Sequence, residues 1–346
     1  MKVLFDMVHP ADVHFFKHAI SSLQATGHEV IVASREKDVT LDLLDQYEIS
    51  HYPITRKGQG ALGLFWELIV RDVKLLWLSL KFRPDVYLGN NSPCSSHVAW
   101  LLRKPSLVFD DTEIHRHNRR LYYPFVSEVH TPACFRDDIG SKQLRFNSYH
   151  ALAYLHPDHF VPDKSVLARN GIDVSEPYVL VRFVSWGAMH DIGLQQLSAT
   201  QKKDLVEEMA RYAKVYISAE SELEDELKKY QVNVPVEDVH HLLAYADLVV
   251  GESATMCCEA SVLGTFSIYI DEKGRGYTDE LEKEYQLCKN FKPGEYDDIR
   301  REVIGFLENR SDSLESVRQD FDRMMADMIN LSDYQMDQIN RLYAGG

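Results

Sequence analysis

Short apolar runs with β-branched residues alternate with segments of helical periodicity along most of this chain. Lys2–Phe5 and Glu29–Ala33 have the strand pattern, whereas Phe15–Thr26 and Thr40–Tyr47 have the helical pattern. Parallel neighbours in a sheet must be joined by a crossover, so this alternation is typical of a doubly wound parallel sheet. The expected fold class is therefore α/β.

The alternation continues through two series of predicted elements. The first series continues with an extended segment at His51–Ile54, a long helix at Ala61–Phe82, a strand at Asp85–Leu88, a helix at Cys94–Leu102 and a strand at Pro105–Phe109. The second has strands at Tyr178–Val184, Lys214–Ile217, Asp247–Val250 and Phe266–Ile270, and helices at Ser198–Tyr212, Glu222–Tyr230, Val236–Ala244 and Thr255–Leu263. The charged tail from Tyr296 onward is predicted to be helical.

A chain of 346 residues suggests about two domains, and the composition changes between Pro157 and Pro177. We predict an N-terminal doubly wound domain over residues 1–160, a linker over 161–177 and a second such domain over 178–330. Residues 331–346 are expected to form a C-terminal helix, with packing against the N-terminal domain as one option. Two domains of this kind would face each other across a cleft, with ligands at the carboxyl ends of their strands.

Composition and charge exclude several classes of function. The formal net charge of −15 argues against binding to nucleic acid, which needs a basic face. Five cysteines without C-x-x-C spacing fit the reduced thiols of a cytoplasmic protein. Met1 leads directly into a predicted strand, so no signal peptide is expected.

The longest apolar stretch, Ala61–Phe82, is interrupted by charges that a membrane-spanning helix would not carry. These charged residues are Glu67, Arg71, Asp72 and Lys74. Helical spacing places an apolar side opposite them, with Phe65, Leu68, Ile69, Leu75, Leu76 and Trp77. We expect this side to pack on the domain core. The alternative is peripheral contact with the inner face of a membrane, for which Trp66 and Trp77 are suited.

The segment Gly251–Gly264 follows the apolar run Ala246–Val250 and has the pattern of a helix with a serine cap. A strand, a polar turn and a helix N-terminus together favour an anion, because unpaired N–H groups and the helix dipole are directed at the same place. Glu259, about one and a half turns into the helix, could then accept hydrogen bonds from a sugar diol. The alternative is an ordinary βα unit in which Ser253 is a plain cap and Glu259 is solvated.

The loop Met7–His14 follows the first strand but lacks G-x-G-x-x-G, so a nicotinamide or flavin cofactor is not expected. His9, Asp12 and His14 could supply a base with an orienting carboxylate, or Asp12 could simply cap the next helix. His14 and His18 are four residues apart, as in a metal pair. No third ligand is evident nearby, so we expect no metal.

The loop Asp110–Asn118 contains three carboxylates within four residues, those of Asp110, Asp111 and Glu113. Their mutual repulsion in a cleft would raise at least one pKa, which suits proton transfer. A solvated acidic turn is the alternative. His115 and His117 are two apart and would diverge on a helix, which weakens a shared metal site.

Two loops of the second predicted domain combine small residues with cations. In Arg182–Asp191, small residues that include Ser185 let the backbone approach a ligand, and Arg182 is a candidate phosphate or carboxylate partner. Arg275 lies between Gly274 and Gly276, where a flexible cation would clamp an anion. With Gly89–Cys94, Met7–His14, Asp110–Asn118 and Gly251–Glu259, these polar loops are expected to converge on one cleft.

The stretch E-S-A-T-M-C-C-E-A-S-V-L-G resembles D-S-G-G-x-x-E-E-A-x-x-L-G of non-hydrolysing UDP-N-acetylglucosamine 2-epimerases and the corresponding segment of MurG glycosyltransferases. Both belong to the GT-B class, with two Rossmann-like domains facing across a nucleotide-sugar cleft. The whole chain is most similar to the domain-of-unknown-function 354 family, through the stretches H-P-A-D-V-H-F-F, D-D-T-E, R-F-V-S-W-x-A-x-H-D and G-E-S-A-T-M.

The resemblance implies roles for particular residues. Ser253, Ala254 and Thr255 would contact the diphosphate and Glu259 the ribose hydroxyls. His14 is similar to the histidine of the MurG G-G-H-x-F-P loop, near the acceptor and the reacting centre. The glycines of that loop are missing here, so an acceptor diphosphate is not expected to bind as it does in MurG.

The epimerase comparison departs from the family pattern at two of three catalytic carboxylates. Asn90 replaces an aspartate and His115 replaces a glutamate, whereas Asp110 keeps its carboxylate. Elimination and re-addition at C2 need these groups, so simple 2-epimerisation is disfavoured.

The expected function is therefore glycosyl transfer from a nucleoside-diphosphate sugar, of UDP type, in glycan, cell-envelope or glycolipid biosynthesis. The acceptor is unknown, and a lipid-linked acceptor is one option. Arg275 and Gly276 would assist Ser253 at the diphosphate, and His14 or the Asp110–Glu113 turn would take the acceptor proton, with inversion. One alternative is an isomerase or hydrolase using Asp110 with His115. Another is a non-catalytic nucleotide-sugar-binding protein. No cofactor beyond the substrate is expected.

Overall fold

A computed structural model describes residues 1–37, 39–173, 175–184, 196–219 and 223–345, apart from the side chain of His115. The chain divides into two compact units. Unit 1 comprises Met1–His159 and Ile329–Gly346, and unit 2 comprises Phe160–Met328. Each unit contains one parallel sheet with helices between its strands. The predicted α/β class of two doubly wound domains is confirmed.

Unit 1 contains a seven-stranded sheet in the order β3-β2-β1-β4-β5-β6-β7. Its strands are β1 (Lys2–Met7), β2 (Glu29–Glu36), β3 (Tyr52–Arg56), β4 (Val86–Asn90), β5 (Ser106–Phe109), β6 (Glu128–Pro132) and β7 (Gln143–Phe146). The helices before residue 160 are α1 (Pro10–Ala25), α2 (Thr40–Gln46), α3 (Gly60–Phe82), α4 (Pro93–Leu101) and α5 (Arg116–Tyr122). This is the Rossmann order with one more strand at the β6 edge.

Apolar strands occupy the middle of this sheet because helices cover both of its faces. Val3, Leu4 and Phe5 of β1 are fully buried although they point alternately to opposite faces. The carboxyl ends of β1, β4 and β5 are neighbours at one edge of the sheet. The loops that follow these strands are therefore brought together.

Unit 2 contains a five-stranded parallel sheet in the order β12-β11-β10-β8-β9. Its strands are β8 (Tyr178–Phe183), β9 (Lys214–Ala219), β10 (Leu248–Gly251), β11 (Phe266–Ile270) and β12 (Cys288–Phe291). Its helices are α6 (Lys164–Arg169), α7 (Ala199–Met209), α8 (Val239–Ala244), α9 (Ala254–Val262), α10 (Gly276–Lys283), α11 (Tyr296–Glu308) and α12 (Arg310–Asp327). A single parallel bridge joins Ile217 of β9 to Gln231. Gln231 therefore lies beside β9 at the edge of the sheet, where a Rossmann sheet has its outer strand.

The predicted helix Glu222–Tyr230 is wrong over the residues that the structure describes. From residue 223 to 230 the chain forms turns and one short 3₁₀ segment, Lys228–Tyr230. The backbone N–H of Val232 donates to Ile217 O of β9 at 3.0 Å. Because the chain must be extended to make this sheet contact, a helix cannot continue into it.

The segment 161–177, expected to be a linker, lies in unit 2 and contains α6. Asp163 caps this helix by accepting from Ser165 N at 2.8 Å, and Val166 and Leu167 are buried. The C-terminal helix α13 (Leu331–Gly345) lies in unit 1. Gln335 of α13 donates to Phe15 O of α1 at 3.2 Å.

Helix α3 meets the sequence-based expectation only in part. Leu75 is fully buried, and Leu68 and Leu76 pack against the core as expected. Two charged residues also face the unit: Arg71 is only 3% exposed, and Glu67 is paired with Arg35 of β2. Phe65 and Trp77, expected in the core, are exposed. Within the described residues, no helix is both long and apolar enough to cross a bilayer.

Candidate functional site

In unit 2, β11, β10 and β8 are adjacent and parallel, so their carboxyl ends lie side by side. Gly251, the last residue of β10, pairs with Arg182 on β8 and Tyr269 on β11. A Cβ atom at Gly251 would lie 2.7 Å from the backbone oxygen of Arg182. Glycine is therefore required for the close approach of β10 to β8.

Ser253 begins helix α9 at this strand edge. Its backbone is extended, with φ −103° and ψ 108°, and its Oγ accepts from Met256 N at 3.4 Å. Ala254 and Thr255 form the start of the helix, and Gly264 follows its end with a left-handed φ of 82°. The predicted serine N-cap and the predicted glycine after the C-terminal end of the helix are thus present. An N-terminus of this kind presents N–H groups and the positive end of the helix dipole.

Glu252, which the sequence analysis treated only as part of a polar turn, is a buried connector. One carboxylate oxygen accepts from Val184 N at 3.2 Å, and the other lies 2.8 Å from Lys202 Nζ of α7. Glu252 N also donates to Arg182 O at 3.1 Å. The turn after β10 is therefore fixed to the end of β8, and the charge of the buried carboxylate is balanced by a lysine.

Arg275 immediately precedes α10 in the loop after β11. Its Nη1 donates to Gly274 O at 2.7 Å and lies 4.0 Å from Asp271 Oδ1. Gly274 has a left-handed φ of 58°, and Asp271 Oδ1 accepts from its N–H at 3.2 Å. The cation expected to be flexible is held and mostly buried. Gly276 is the buried first residue of α10.

The other predicted phosphate and ribose residues are also engaged in contacts. Arg182 Nη1 donates to Ser218 Oγ of β9 at 2.8 Å. Glu259 Oε1 lies 3.2 Å from His240 Nε2 of α8, and its side chain is 12% exposed. Glu259 is thus largely enclosed rather than solvated. Ser185 and the rest of the loop to residue 195 lie outside the described residues.

In unit 1, Asp12 connects the loops after β1 and β4. Its Oδ2 accepts from Val8 N at 2.8 Å and His9 N at 2.9 Å, and its Oδ1 accepts from Asn90 Nδ2 at 3.0 Å. Burial raises the pKa of Asp12 to about 7, although these three hydrogen bonds oppose the rise. The N-cap of α1 is His9, and Asp12, two residues into the helix, completes the capping box by accepting from His9 N, with a carboxyl that titrates near neutral pH.

Asp110, directly after β5, is fully buried in a hydrogen-bond network. Its Oδ2 accepts from Tyr122 Oη at 2.6 Å and Arg119 Nε at 3.2 Å, and its Oδ1 accepts from Thr112 N at 3.0 Å. Burial raises the pKa of Asp110, and the hydrogen bonds from Tyr122 and Thr112 and the charge of Arg119 oppose that rise. This carboxylate orders the turn and the start of α5.

The rest of the acidic turn is divided among different partners. Asp111 lies 3.2 Å from Nδ1 of His150, and burial lowers the pKa of that histidine. Glu113 is buried and accepts from Arg136 N at 3.1 Å. The alternative of a solvated acidic turn is therefore wrong, because each of these carboxylates has its own partner. His115 lies in a short 3₁₀ segment, and its side chain lies outside the described residues.

His14 lies in the second turn of α1 and is buried among aromatic rings. Its Nδ1 is 3.4 Å from Tyr47 Oη, and its ring centroid is 5.5 Å from that of Tyr154. His9, in contrast, is exposed and caps α1 by accepting from Ala11 N on Nδ1 at 3.2 Å. The first loop therefore presents one enclosed and one exposed imidazole.

A buried ion pair below this edge was missed by sequence reasoning. Asp6 of β1 accepts from Arg71 of α3 and from Ser92 Oγ, and all three residues are buried. Arg71 also donates to Thr55 Oγ1 at 2.9 Å. In the sequence, this buried ion pair is indicated only by the carboxylate of Asp6 within the apolar run of β1. No group of three or more His, Cys, Asp or Glu side chains suited to a metal occurs among the described residues.

The DUF354 family, described as a protein of unknown function, matches residues 1–332. The chain belongs to the DUF354 family. No curated protein sequence matches this DUF354 member.

Solved structures of low sequence identity share its fold. UDP-GlcNAc 2-epimerase from Neisseria meningitidis, bound to UDP-GlcNAc, has 14% identity and a TM-score of 0.69 over 100% of both chains. MnaA of S. aureus, solved with UDP, has 10% identity and a TM-score of 0.70 over 99% of this chain and 97% of its own. MurG of Acinetobacter baumannii has 12% identity and a TM-score of 0.63 over 99% and 100%. This DUF354 protein therefore has the GT-B fold.

The structure groups the predicted residues of this DUF354 protein by unit. In unit 2, the turn at Ser253, the Arg275 loop and the end of β8 at Arg182 lie along one strand edge. In unit 1, the loops of Asp12, Asn90 and Asp110 follow three neighbouring strands. Each unit therefore has one polar edge, and the two edges differ in chemistry.

Proposed function

We propose that this DUF354 protein binds a nucleoside-diphosphate sugar at the carboxyl edge of the unit 2 sheet and transfers its glycosyl group to an acceptor. The observation that carries the proposal is the position of the α9 N-terminus, after the close β10–β8 approach at Gly251 and beside the loop that holds Arg275. Helix N–H groups and an adjacent guanidinium are the donors that a diphosphate prefers.

These donors would also assist the reaction itself. Negative charge grows on the leaving diphosphate as the glycosidic bond breaks, and fixed donors stabilise that charge without reorganising. The held position of Arg275, against Gly274 O and near Asp271, suits such preorganisation. Glu259, oriented by His240, is assigned to the ribose hydroxyls.

Transfer is favoured over 2-epimerisation by the environment of the unit 1 edge. Asn90 donates its amide to Asp12, and an amide cannot act as a general base. Asp110 already accepts three hydrogen bonds and is fully buried. A buried, bonded carboxylate of this kind suits a positioning role better than repeated proton transfer at a sugar carbon.

His14 is assigned as the group that takes the acceptor proton, with direct displacement and inversion at the anomeric carbon. Imidazole is the side chain that most often acts as a general base, and the contact with Tyr47 holds the ring in place. The Asp110–Glu113 turn is the second candidate from the sequence. Its acidic side chains are bonded to Tyr122, Arg119, His150 and the backbone of Arg136.

The first experiment measures the melting temperature with UDP, GDP, CDP and TDP and with their common sugar conjugates. A ligand at about 100 times its Kd stabilises the folded protein by about 2.7 kcal/mol. We expect one base, uracil, to give the largest shift. No shift with any nucleotide would contradict the proposal.

Two variants then locate the donor site by isothermal titration with the ligand that shifts the melting temperature most. Ser253→Ala and Arg275→Ala should each weaken its binding by about tenfold, or about 1.4 kcal/mol. Ser311→Ala and Arg301→Ala are matched controls, because both residues are exposed on helices α12 and α11. Equal affinity in all four variants would place the nucleotide elsewhere.

Product analysis separates transfer from the alternatives. The protein is incubated with the identified donor, first alone and then with candidate acceptors. Release of nucleoside diphosphate that depends on the acceptor supports transfer. Turnover of the donor alone would indicate an isomerase or hydrolase instead. Loss of acceptor-dependent turnover in His14→Gln with retained donor binding would support the assigned base.

A further inference from the structure

The outward side of α3 is a continuous apolar stripe, here called the α3 face. It comprises Leu62, Phe65, Trp66, Ile69, Val70, Val73, Trp77 and Leu80, and all of these are exposed. Their spacing of three and four residues places them on one side of the helix over its whole length. Trp66 is 62% exposed and Trp77 is 64% exposed. Folded monomers rarely expose so large an apolar patch without a binding role.

The orientation of this helix is specified by its buried side. Arg71 is bonded to Asp6 inside unit 1, and Glu67 makes a bidentate contact with Arg35 of β2. Rotating the helix to bury its tryptophans would break both ion pairs and leave charges unpaired in the core, at a high cost. The exposure of the α3 face is thus built into the packing of unit 1.

The neighbouring helix α4 extends the apolar surface. Trp100 and Leu101 at its C-terminal end are both more than half exposed. His97 of α4 contacts Asp72 of α3 at 2.9 Å and packs its ring on Phe125. The two helices therefore form one fixed surface.

The charges beside the α3 face have a single sign. Between residues 57 and 83 the exposed charged side chains are those of Lys57, Lys74, Lys81 and Arg83. The two acidic residues of this segment, Glu67 and Asp72, are paired with Arg35 and His97. A basic border in a protein of net charge −15 is a local feature that favours an anionic partner.

We propose that the α3 face docks onto the surface of an anionic lipid bilayer, with α3 lying parallel to the membrane plane. Tryptophan and aliphatic side chains enter the interface, and the flanking lysines and arginine contact anionic headgroups. A second copy of this chain is a poorer occupant, because a two-fold contact would place the same basic border against itself. The proposal does not depend on the proposed nucleotide-sugar function.

The test is co-sedimentation of the full chain with vesicles of phosphatidylcholine alone or mixed with phosphatidylglycerol. We expect binding to the mixed vesicles and much weaker binding to the neutral ones. The double variant Trp66→Gln/Trp77→Gln should lower the partition coefficient by at least about tenfold. Lys81→Gln/Arg83→Gln should lower it about fivefold per charge removed, and only on the anionic vesicles.

Val161→Gln/Tyr343→Gln is the matched control, since both residues are exposed and apolar but lie outside α3 and α4. This control should bind vesicles like the wild type. Absence of binding to anionic vesicles at low salt would overturn the proposal. A concentration-dependent dimer that Trp66→Gln/Trp77→Gln abolishes, without vesicle binding by the wild type, would also overturn it and assign the face to a second copy.

Discussion

The polar edges of the two sheets have the same topological origin but opposite electrostatic designs. In unit 1, the carboxyl ends of the strands carry buried acids, Asp6, Asp12 and Asp110, each of which accepts at least one hydrogen bond from another element. In unit 2, the edge carries a helix N-terminus at Ser253 and the cation Arg275. Parallel sheets place loops together, but residue choice decides which charge the edge attracts.

The difference suggests a division of labour. A helix N-terminus with an adjacent cation suits a phosphorylated ligand, whereas buried acids that are held by several donors suit the positioning of neighbouring groups. Among the described residues of the unit 2 edge, the Glu252 carboxylate is paired with Lys202, and Asp271 lies 4.0 Å from Arg275. The comparison can be tested by perturbing each edge separately.

The largest effect is expected from Arg71→Met in unit 1. This change leaves the fully buried Asp6 carboxylate without its cation, so we expect the free energy of unfolding to fall by about 3–5 kcal/mol. Denaturant unfolding followed by tryptophan fluorescence measures it. Three of the four tryptophans, Trp66, Trp77 and Trp100, lie in unit 1.

Arg56→Met is the matched control for this prediction, because Arg56 pairs with Glu36 on the surface. An exposed pair contributes at most about 1 kcal/mol. Adding Asp6→Asn to Arg71→Met should recover part of the loss. Equal, small effects of Arg71→Met and Arg56→Met would show that the buried pair does not stabilise unit 1.

The second-largest effect is a pH-dependent change in stability, which is expected from Asp12→Asn. Its pKa of about 7 in the folded protein lies above the usual value of 3.8. The folded state therefore binds the proton more tightly than the unfolded state, and stability falls as pH rises from about 4 to about 7. Asp12→Asn removes this titration. Relative to the wild type, the variant should gain up to about 4 kcal/mol between these pH values.

Denaturant midpoints of both proteins at several pH values measure this difference. Asp163→Asn is the contrasting control, because hydrogen bonds from Ser165 lower the pKa of that exposed cap. The ionised Asp163 carboxylate of the wild type should stabilise the folded protein at neutral pH, and this stabilisation should disappear as the pH falls. A pH-independent difference between wild type and Asp12→Asn would contradict the buried, titrating carboxyl.

The smallest effect is expected from Gly251→Ala in unit 2. The added Cβ would meet the Arg182 backbone oxygen at 2.7 Å, so β10 must shift away from β8. We expect a loss of about 1–3 kcal/mol in stability, together with weaker donor binding. Calorimetry and ligand titration measure the two effects.

Gly305→Ala is the matched control, because nothing lies within 4 Å of a Cβ atom at this position in α11. Replacing a helical glycine by alanine there should stabilise by about 0.5–1 kcal/mol. If Gly251→Ala behaved like Gly305→Ala, the close approach at the unit 2 edge would have no structural importance.

Elements with a strong local pattern could be predicted from the sequence. β11 has the predicted bounds, Phe266–Ile270, since all five side chains are buried in a run of strand-forming residues. The cap at Ser253 was recognisable because its bond to Met256 N spans only three residues. Local chemistry decides such features.

Elements that depend on distant partners were missed. β6 contains His130, which looks unsuited to a buried strand, but its Nδ1 lies 2.8 Å from Tyr334 Oη of α13. The burial of Arg71 on α3 and the exposure of Phe65 and Trp77 were also missed, because they depend on the pairing of Arg71 with Asp6. In both cases the stabilising partner lies far along the chain, and a local pattern contains no information about it.

The sequence by itself determined the α/β alternation, the start of α9 and the family to which the chain belongs. Only the tertiary structure decided which side of α3 faces solvent, and which carboxylates are buried and bonded. The physical reason is the separation along the chain of the residues that interact. Helix and strand periodicity are properties of neighbouring residues, whereas the burial of a charge is tolerated only when folding brings its partner to it.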